Sequence, residues 1–259
     1  MCLAHSVLSP SLVQTPMSSK LQRLFVKSRL ERGAEIALAK DRAHYLGNVL
    51  RLKPGEHLLL FNGEDGEWCA ELSAIGKKGA EARIAHQTRP QEDGPDLHYL
   101  FAPLKRARLD YMAQKATELG ASALRPVITR HTVAEHVKTD RLLANAVEAA
   151  EQCSILGVPE VMEPEKLLKL IGEWDERRLL IFADEAAPHA SPLEVLQARK
   201  PSPLAVLIGP EGGFEREERA ALLARSFVVP ISLGPRVMRA DTAAVAALAL
   251  VNAALGDWR

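Results

Sequence analysis

Apolar positions along the chain follow two different rhythms. From Leu21 to about Arg89 they come in short runs: Leu24–Val26, Ile36–Leu38, Leu58–Phe61, Trp68–Leu72 and Ala82–Ala85. Turn signals separate these runs, at Lys53-Pro-Gly55, Asn62-Gly-Glu-Asp-Gly66 and Lys77-Lys-Gly79. One helix is predicted over Asp41–Leu50, with Asp41 placed to cap it. Short strands spaced this evenly predict a small β-barrel over residues 20–90. The polar segment Arg89-Pro-Gln-Glu-Asp-Gly-Pro95 reads as a linker.

Beyond residue 96 strand and helix patterns alternate. Leu97–Ala102, Leu124–Ile128 and Leu179–Asp184 have strand character, and Pro159–Met162 is short and extended. Helices are predicted over Leu109–Leu119 (stopped by Gly120), over Asp140–Cys153, and near Pro192–Arg199. Two strand–turn–helix units follow, entered at Leu204 and Ile231, and each strand stops abruptly in a Gly-Pro turn. The alternation predicts an α/β domain over residues 96–259, its parallel strands joined by crossover helices. Two neighbouring parallel strands that end this way build a backbone-lined crevice at their carboxyl ends, where open α/β sheets bind nucleotide-like ligands.

Composition narrows the classes. The chain has 259 residues, 47% of them hydrophobic, enough for a sizeable core. Lys+Arg and Asp+Glu balance at 33 each, but residues 18–53 hold nine basic residues against three acidic ones. A basic amino-terminal module on a neutral protein suits a polyanion partner. Three cysteines, Cys2, Cys69 and Cys153, lie far apart without CxxC spacing, which fits a reducing cytoplasm and no disulfide scaffold. His131 and His136 lack the spacing of a helical zinc site, so no metal is expected. The longest apolar run, Ala243–Leu255, is too short to span a membrane. Residues 1–19 lack signal-peptide features and read as a disordered leader, or an upstream start with Met17 the natural beginning.

The two turns carry the candidate chemistry. Gly209 ends the first strand, Pro210 fixes φ, and Gly212-Gly213 allow positive φ and close approach of backbone to ligand. Glu215, Glu217 and Glu218 begin the next helix, which favours its dipole and disfavours a phosphate there. Neither GxGxxG nor GxxxxGK[ST] occurs, so a dehydrogenase of Rossmann type fails and a phosphate-free adenosine cofactor fits better. In the second turn Leu233, Val237 and Met238 can sandwich an adenine. Arg236 and Arg239 can hold a phosphate or a developing oxyanion, and Ala240-Asp-Thr242 supplies capping chemistry for the last helix.

Ile208-Gly-Pro-Glu-Gly-Gly-Phe214 followed by Leu233-Gly-Pro-Arg-Val-Met-Arg-Ala-Asp-Thr242 closely resembles the signature of the RsmE-type uridine-N3 methyltransferases of small-subunit ribosomal RNA, in the SPOUT superfamily. His44–Gly55, Lys115-Ala-Thr-Glu-Leu-Gly120, and Ala149–Cys153 with Val158-Pro-Glu160 are similar to three further family motifs, in the right order over about 200 residues. The resemblance implies a PUA-like RNA-binding barrel followed by an α/β trefoil-knot domain, a homodimer, and 16S rRNA or the assembled small subunit as substrate. It implies S-adenosyl-L-methionine held by Ile208, Gly209, Pro210, Glu211, Gly212 and Gly213 of one loop, and by Leu233, Gly234, Arg236, Val237, Met238, Thr242 and Ala243 of the other. RNA contacts are expected from Arg23, Arg51, Lys53, Lys105, Arg106, Lys115 and Gln152. The chain departs from the family in reading Met238-Arg-Ala-Asp-Thr242 for L-R-T-E-T, and in placing Ile155 where an arginine is usual.

Uracil N3 is a poor nucleophile until its proton leaves, so such a site must favour the N3 anion by positioning and electrostatics. Arg236 or Arg239 is expected to face the uracil oxygens or the adjacent phosphate, with Glu211 or Asp241 orienting them and Glu151-Gln152 as further base contacts. A ribose 2′-O-methyltransferase of the same superfamily and a non-catalytic RNA-binding assembly factor are the competing readings.

Overall fold

The computed structural model describes residues 21–133, 136–188, 190–200 and 202–258, so the expected leader lies outside the described residues. The amino-terminal lobe is a five-stranded sheet of β1 (Arg23–Phe25), β2 (Glu35–Leu38), β3 (His57–Phe61), β4 (Glu67–Gly76) and β5 (Gly79–Arg89). The strand order is β1-β3-β4-β5-β2, with β1 parallel to β3 and the other pairs antiparallel. Period-two alternation sends Ile36, Leu38, Leu58, Leu60, Leu72 and Ile84 into one core. Helix α1 (Lys40–His44) continues as a wider turn of π type over Tyr45–Val49. Asp41 does not cap it: Ala39 holds the N-cap position without a side-chain bond, and Asp41 lies inside the first turn, where it acts only on the helix dipole.

The larger lobe is built on a parallel sheet of β6 (Leu97–Phe101), β7 (Ala123–Ile128), β8 (Glu160–Val161), β10 (Leu179–Ala183), β11 (Leu204–Ile208) and β12 (Val228–Ile231), with β9 (Glu165–Lys166) pairing β7. Its helices are α2 (Arg106–Glu118), α3 (Thr139–Gln152), α4 (Leu167–Gly172), α5 (Pro192–Gln197), α6 (Arg216–Leu223) and α7 (Ala240–Ala254). Every residue of β11 is buried, because helices cover both faces. Tyr99, Phe101, Val206 and Ile208 pack toward α2 and α7, while Leu100, Phe182 and Leu207 pack toward α4 and α6.

Strand order is β12-β10-β11-β6-β7-β8, so the two strands bearing the Gly-Pro turns are not neighbours. β10 lies between them, with Ile181 opposite both Val206 and Val229. Periodicity fixes that a strand exists, not where it enters its sheet. The correction brings a third loop, the one after β10, into the crevice.

Arg23 and Glu151 join the lobes, which corrects two further expectations. The Arg23 side chain is 8% exposed; its Nε donates to Glu67 Oε2 (2.6 Å) and its Nη atoms to the carbonyls of Ala150, Glu151 and Ile155. Its guanidinium also lies over the Phe61 ring, 4.4 Å from the centroid. With its donors spent inside the protein, Arg23 is a structural residue and not an RNA contact. Glu151 is buried too, accepting from the Phe25 N–H (3.0 Å) and pairing with Arg42 (3.1 Å), so it cannot meet a base. Phe61, Ala150 and Leu156 form a small apolar cluster beside these polar bonds.

Candidate active site

The carboxyl ends of β10, β11 and β12 enclose a crevice of about 490 Å³. That size suits a small organic ligand. The first Gly-Pro turn forms one wall. A Cβ at Gly209 would come within 2.5 Å of the Phe214 ring, whose edge packs on Phe182 with centroids 5.1 Å apart. Glycine at 209 therefore makes room for Phe214 and not directly for a ligand. Only Gly213 of the following pair has positive φ, +70°, and Gly212 instead lies against the His131 side chain. Glu215 and Glu218 close a capping box at the start of α6. Glu218 is buried and also accepts from the Arg130 N–H (2.9 Å), tying the loop after β7 to this turn.

The second turn is more open. Gly234 has φ +100°, Leu233 and Met238 are partly buried, and Arg236, Val237 and Arg239 are exposed, Val237 at 87%. Asp241 does not cap α7. Arg239 occupies the N-cap position, and Asp241 Oδ1 accepts the N–H of Thr242 within the first turn (2.9 Å).

Ile208, Gly209, Pro210, Glu211, Gly213, Leu233, Gly234, Arg236, Val237, Met238 and Ala243 all line the crevice, as does Arg239. Gly212 and Thr242, expected among them, lie outside its lining. The lining residues without a site signal in the sequence are Ala183, Asp184, Glu185 and Ala186 at the end of β10, and Arg219; Phe214 closes the signature of the first turn. Asp184 is buried and takes Arg219 Nη2 at 2.8 Å, and this bond raises the Arg219 pKa above its ordinary value. Arg108 was also missed. From α2 its Nη1 reaches Glu211 Oε1 at 3.3 Å and its Nε reaches Asp241 Oδ2 at 3.8 Å. Burial, with the Asp241 charge, pushes the nearby Tyr99 phenol well above its ordinary pKa.

Among the expected RNA contacts, Arg51, Lys53, Lys105 and Gln152 are exposed. Lys115 is partly buried and donates to both oxygens of Glu118 at 2.7 Å. The Arg106 side chain lies outside the described residues. Among the described residues no group of three or more His, Cys, Asp or Glu is gathered as a metal site, and no helix is long and apolar enough to cross a membrane.

The crevice matches an adenosine cofactor that is cationic and lacks phosphate. Ile208, Leu233, Met238 and Ala243 offer apolar walls, and the two turns offer backbone groups. Glu185 and Glu211 supply negative charge, whereas the acid-rich start of α6 disfavours a phosphate.

Residues 91–252 match a family described as RNA methyltransferase domain, and residues 38–85 match one described as RNA methyltransferase PUA domain. The "Ribosomal RNA small subunit methyltransferase E" of Rickettsia conorii is 33% identical over 90% of this chain and 96% of its own length. A solved structure of a Legionella pneumophila putative methyltransferase with bound cofactor SAM is 31% identical, covers 92% of this chain and 99% of its own, and superposes with a TM-score of 0.80. A Neisseria gonorrhoeae "Ribosomal RNA small subunit methyltransferase E" bound to S-adenosyl methionine is 25% identical, covers 93% and 100%, and also has a TM-score of 0.80.

Proposed function

This chain belongs to the RNA methyltransferase family, and from that premise we propose that it methylates N3 of a uridine in the 16S RNA of the small ribosomal subunit. The observation that carries the reading is the crevice, where two Gly-Pro turns and the loop after β10 meet beneath two exposed arginines. When bound, S-adenosylmethionine supplies a methyl group already activated by its positive sulfur. Ile208, Leu233, Met238 and Ala243 would flank its adenine, and Glu185 and Glu211 would balance its positive charge.

The protein's own residues then have one electrostatic task. Loss of the N3 proton leaves an anion whose charge spreads to O2 and O4, and Arg236 or Arg239 on the crevice rim would stabilise it. The expected orienting acids, Glu211 and Asp241, are instead held by Arg108. Exposed Arg51, Lys53 and Lys105 would contact RNA phosphates, which makes binding salt-dependent. The reading includes a homodimer, because Val245, Ala246 and Ala249 leave an apolar face of α7 only partly covered. The enzyme would work in the cytoplasm, with Cys69 and Cys153 as free thiols.

Arg236→Ala is the test. Losing one donor of this kind lowers turnover by roughly 100-fold, while the backbone and apolar walls keep cofactor affinity nearly unchanged in calorimetry. Wild-type turnover in that variant removes Arg236 from the mechanism. Absence of S-adenosylmethionine binding by the unaltered protein removes the methyl-transfer reading itself.

A further inference from the structure

We infer that Arg108 is a positioning residue of the methyl-transfer site, a single cation that ties the first Gly-Pro turn and the start of α7 to α2 and neutralises two carboxylates, one of which lines the crevice. The inference rests on the proposed methyl-transfer reading. Arg108 lies in the first turn of α2, a helix none of whose described side chains lines the crevice. Its guanidinium nevertheless reaches Glu211 (3.3 Å), which lines the crevice from the first turn, and Asp241 (3.8 Å), which follows Arg239 at the start of α7. Among the described residues neither carboxylate has another cation within ion-pair distance.

Asp241 Oδ1 accepts the Thr242 N–H of its own helix (2.9 Å), while its Oδ2 faces Arg108. The long Arg108 side chain links this acid to Glu211 of the first turn. The three side chains are 36%, 44% and 20% exposed, so removing the cation leaves Glu211 and the less exposed Asp241 without their counter-charge. The other charged or titratable groups around the crevice are Arg236 and Arg239 on the second turn, Glu185 and the Asp184–Arg219 pair, Tyr99 and His131. Two unneutralised carboxylates disfavour a nearby anion. Without Arg108, uracil N3 would lose its proton less readily.

The experiment measures kcat, KM and the pH dependence of kcat, with labelled S-adenosylmethionine and small ribosomal subunits, for the wild type, Arg108→Ala and Arg108→Lys. Arg108→Ala should lower kcat about tenfold, the scale of two partly exposed ion pairs, and move the rise of kcat to higher pH. Arg108→Lys should restore the pH profile and only part of the rate, because one ammonium cannot fork between two acids. Should Arg108→Ala fail to fold, Arg108→Gln keeps the length and a donor, and the same shift is expected. An unchanged pH profile in the neutral variant overturns the inference, as does a defect confined to thermal stability. A wild type that binds no S-adenosylmethionine instead overturns the reading on which it rests.

Discussion

Replacing Arg23 by alanine should loosen the junction between the lobes without touching the RNA surface. The guanidinium makes one ion pair with a carboxylate of 6% side-chain exposure and three bonds to carbonyls of the other lobe. Truncation leaves Glu67 buried, with the Thr88 hydroxyl (2.9 Å) as its remaining side-chain bond. Breaking a buried pair from one side costs about 3–5 kcal/mol, a large share of a typical stability of roughly 5–15 kcal/mol. The tryptophans offer a direct assay, because Trp68 lies in the small sheet and Trp174 in the core of the larger lobe. Urea unfolding followed by fluorescence in Trp68→Phe and Trp174→Phe backgrounds, each also carrying Trp258→Phe, should show one shared transition for the intact protein. In Arg23→Ala the small lobe should melt first. Removing Glu67 as well should recover part of the loss, since no charge is then stranded. A loss below about 1 kcal/mol, the scale of an exposed pair, refutes the reasoning. Weakened RNA binding at full stability refutes it differently, by returning Arg23 to the RNA surface.

Other outcomes follow from single contacts. Gly209→Ala drives a methyl group into Phe214 at 2.5 Å; it should cost about 1–3 kcal/mol, the usual price of overpacking, and weaken cofactor binding in calorimetry, whereas an unchanged melting temperature would contradict this use of the glycine. His98 is held down to about 4 by burial and then by the charges of Arg178 and Arg125, and its Nδ1 has no partner. The folded protein therefore resists protonating it. Stability from this residue is full above 6.5 and declines as pH falls toward about 4, by on the order of 3 kcal/mol in total. His98→Gln should flatten the stability–pH curve across that window, and a curve of unchanged slope would show that other groups set it.

Much of the architecture was legible because burial writes itself into composition. β10 and β11 are nearly continuous apolar runs, and only strands covered on both faces read that way. Ser191 caps α5 through the Glu194 N–H with Pro192 next in line, a start signal visible in the chain. The two Gly-Pro turns were equally plain, since few residues but glycine adopt the φ of Gly213 and Gly234. What stayed hidden depends on partners distant in sequence. Nothing local marks Arg23 as buried, because Glu67 lies 44 residues away and Ala150 lies 127 away. Arg108 and Glu211 are 103 residues apart and meet only because β6 and β11 are adjacent. The place of β10 between β11 and β12 had no sequence signal either, and it decides that Asp184 and Glu185 border the crevice. The wide turn at Tyr45–Val49 is indistinguishable from ordinary helix in the sequence, because its hydrogen bonds differ while its residue pattern does not.

The central claim is that this crevice directs a methyl group to a uracil nitrogen. The most direct measurement incubates the protein with S-adenosylmethionine labelled in its methyl group and with small ribosomal subunits lacking the modification. The 16S RNA is then digested to nucleosides and read by mass spectrometry. The account predicts label in 3-methyluridine alone, with one labelled methyl group per 16S RNA. Label in a 2′-O-methylated nucleoside, or none in the RNA while cofactor is bound, would contradict it.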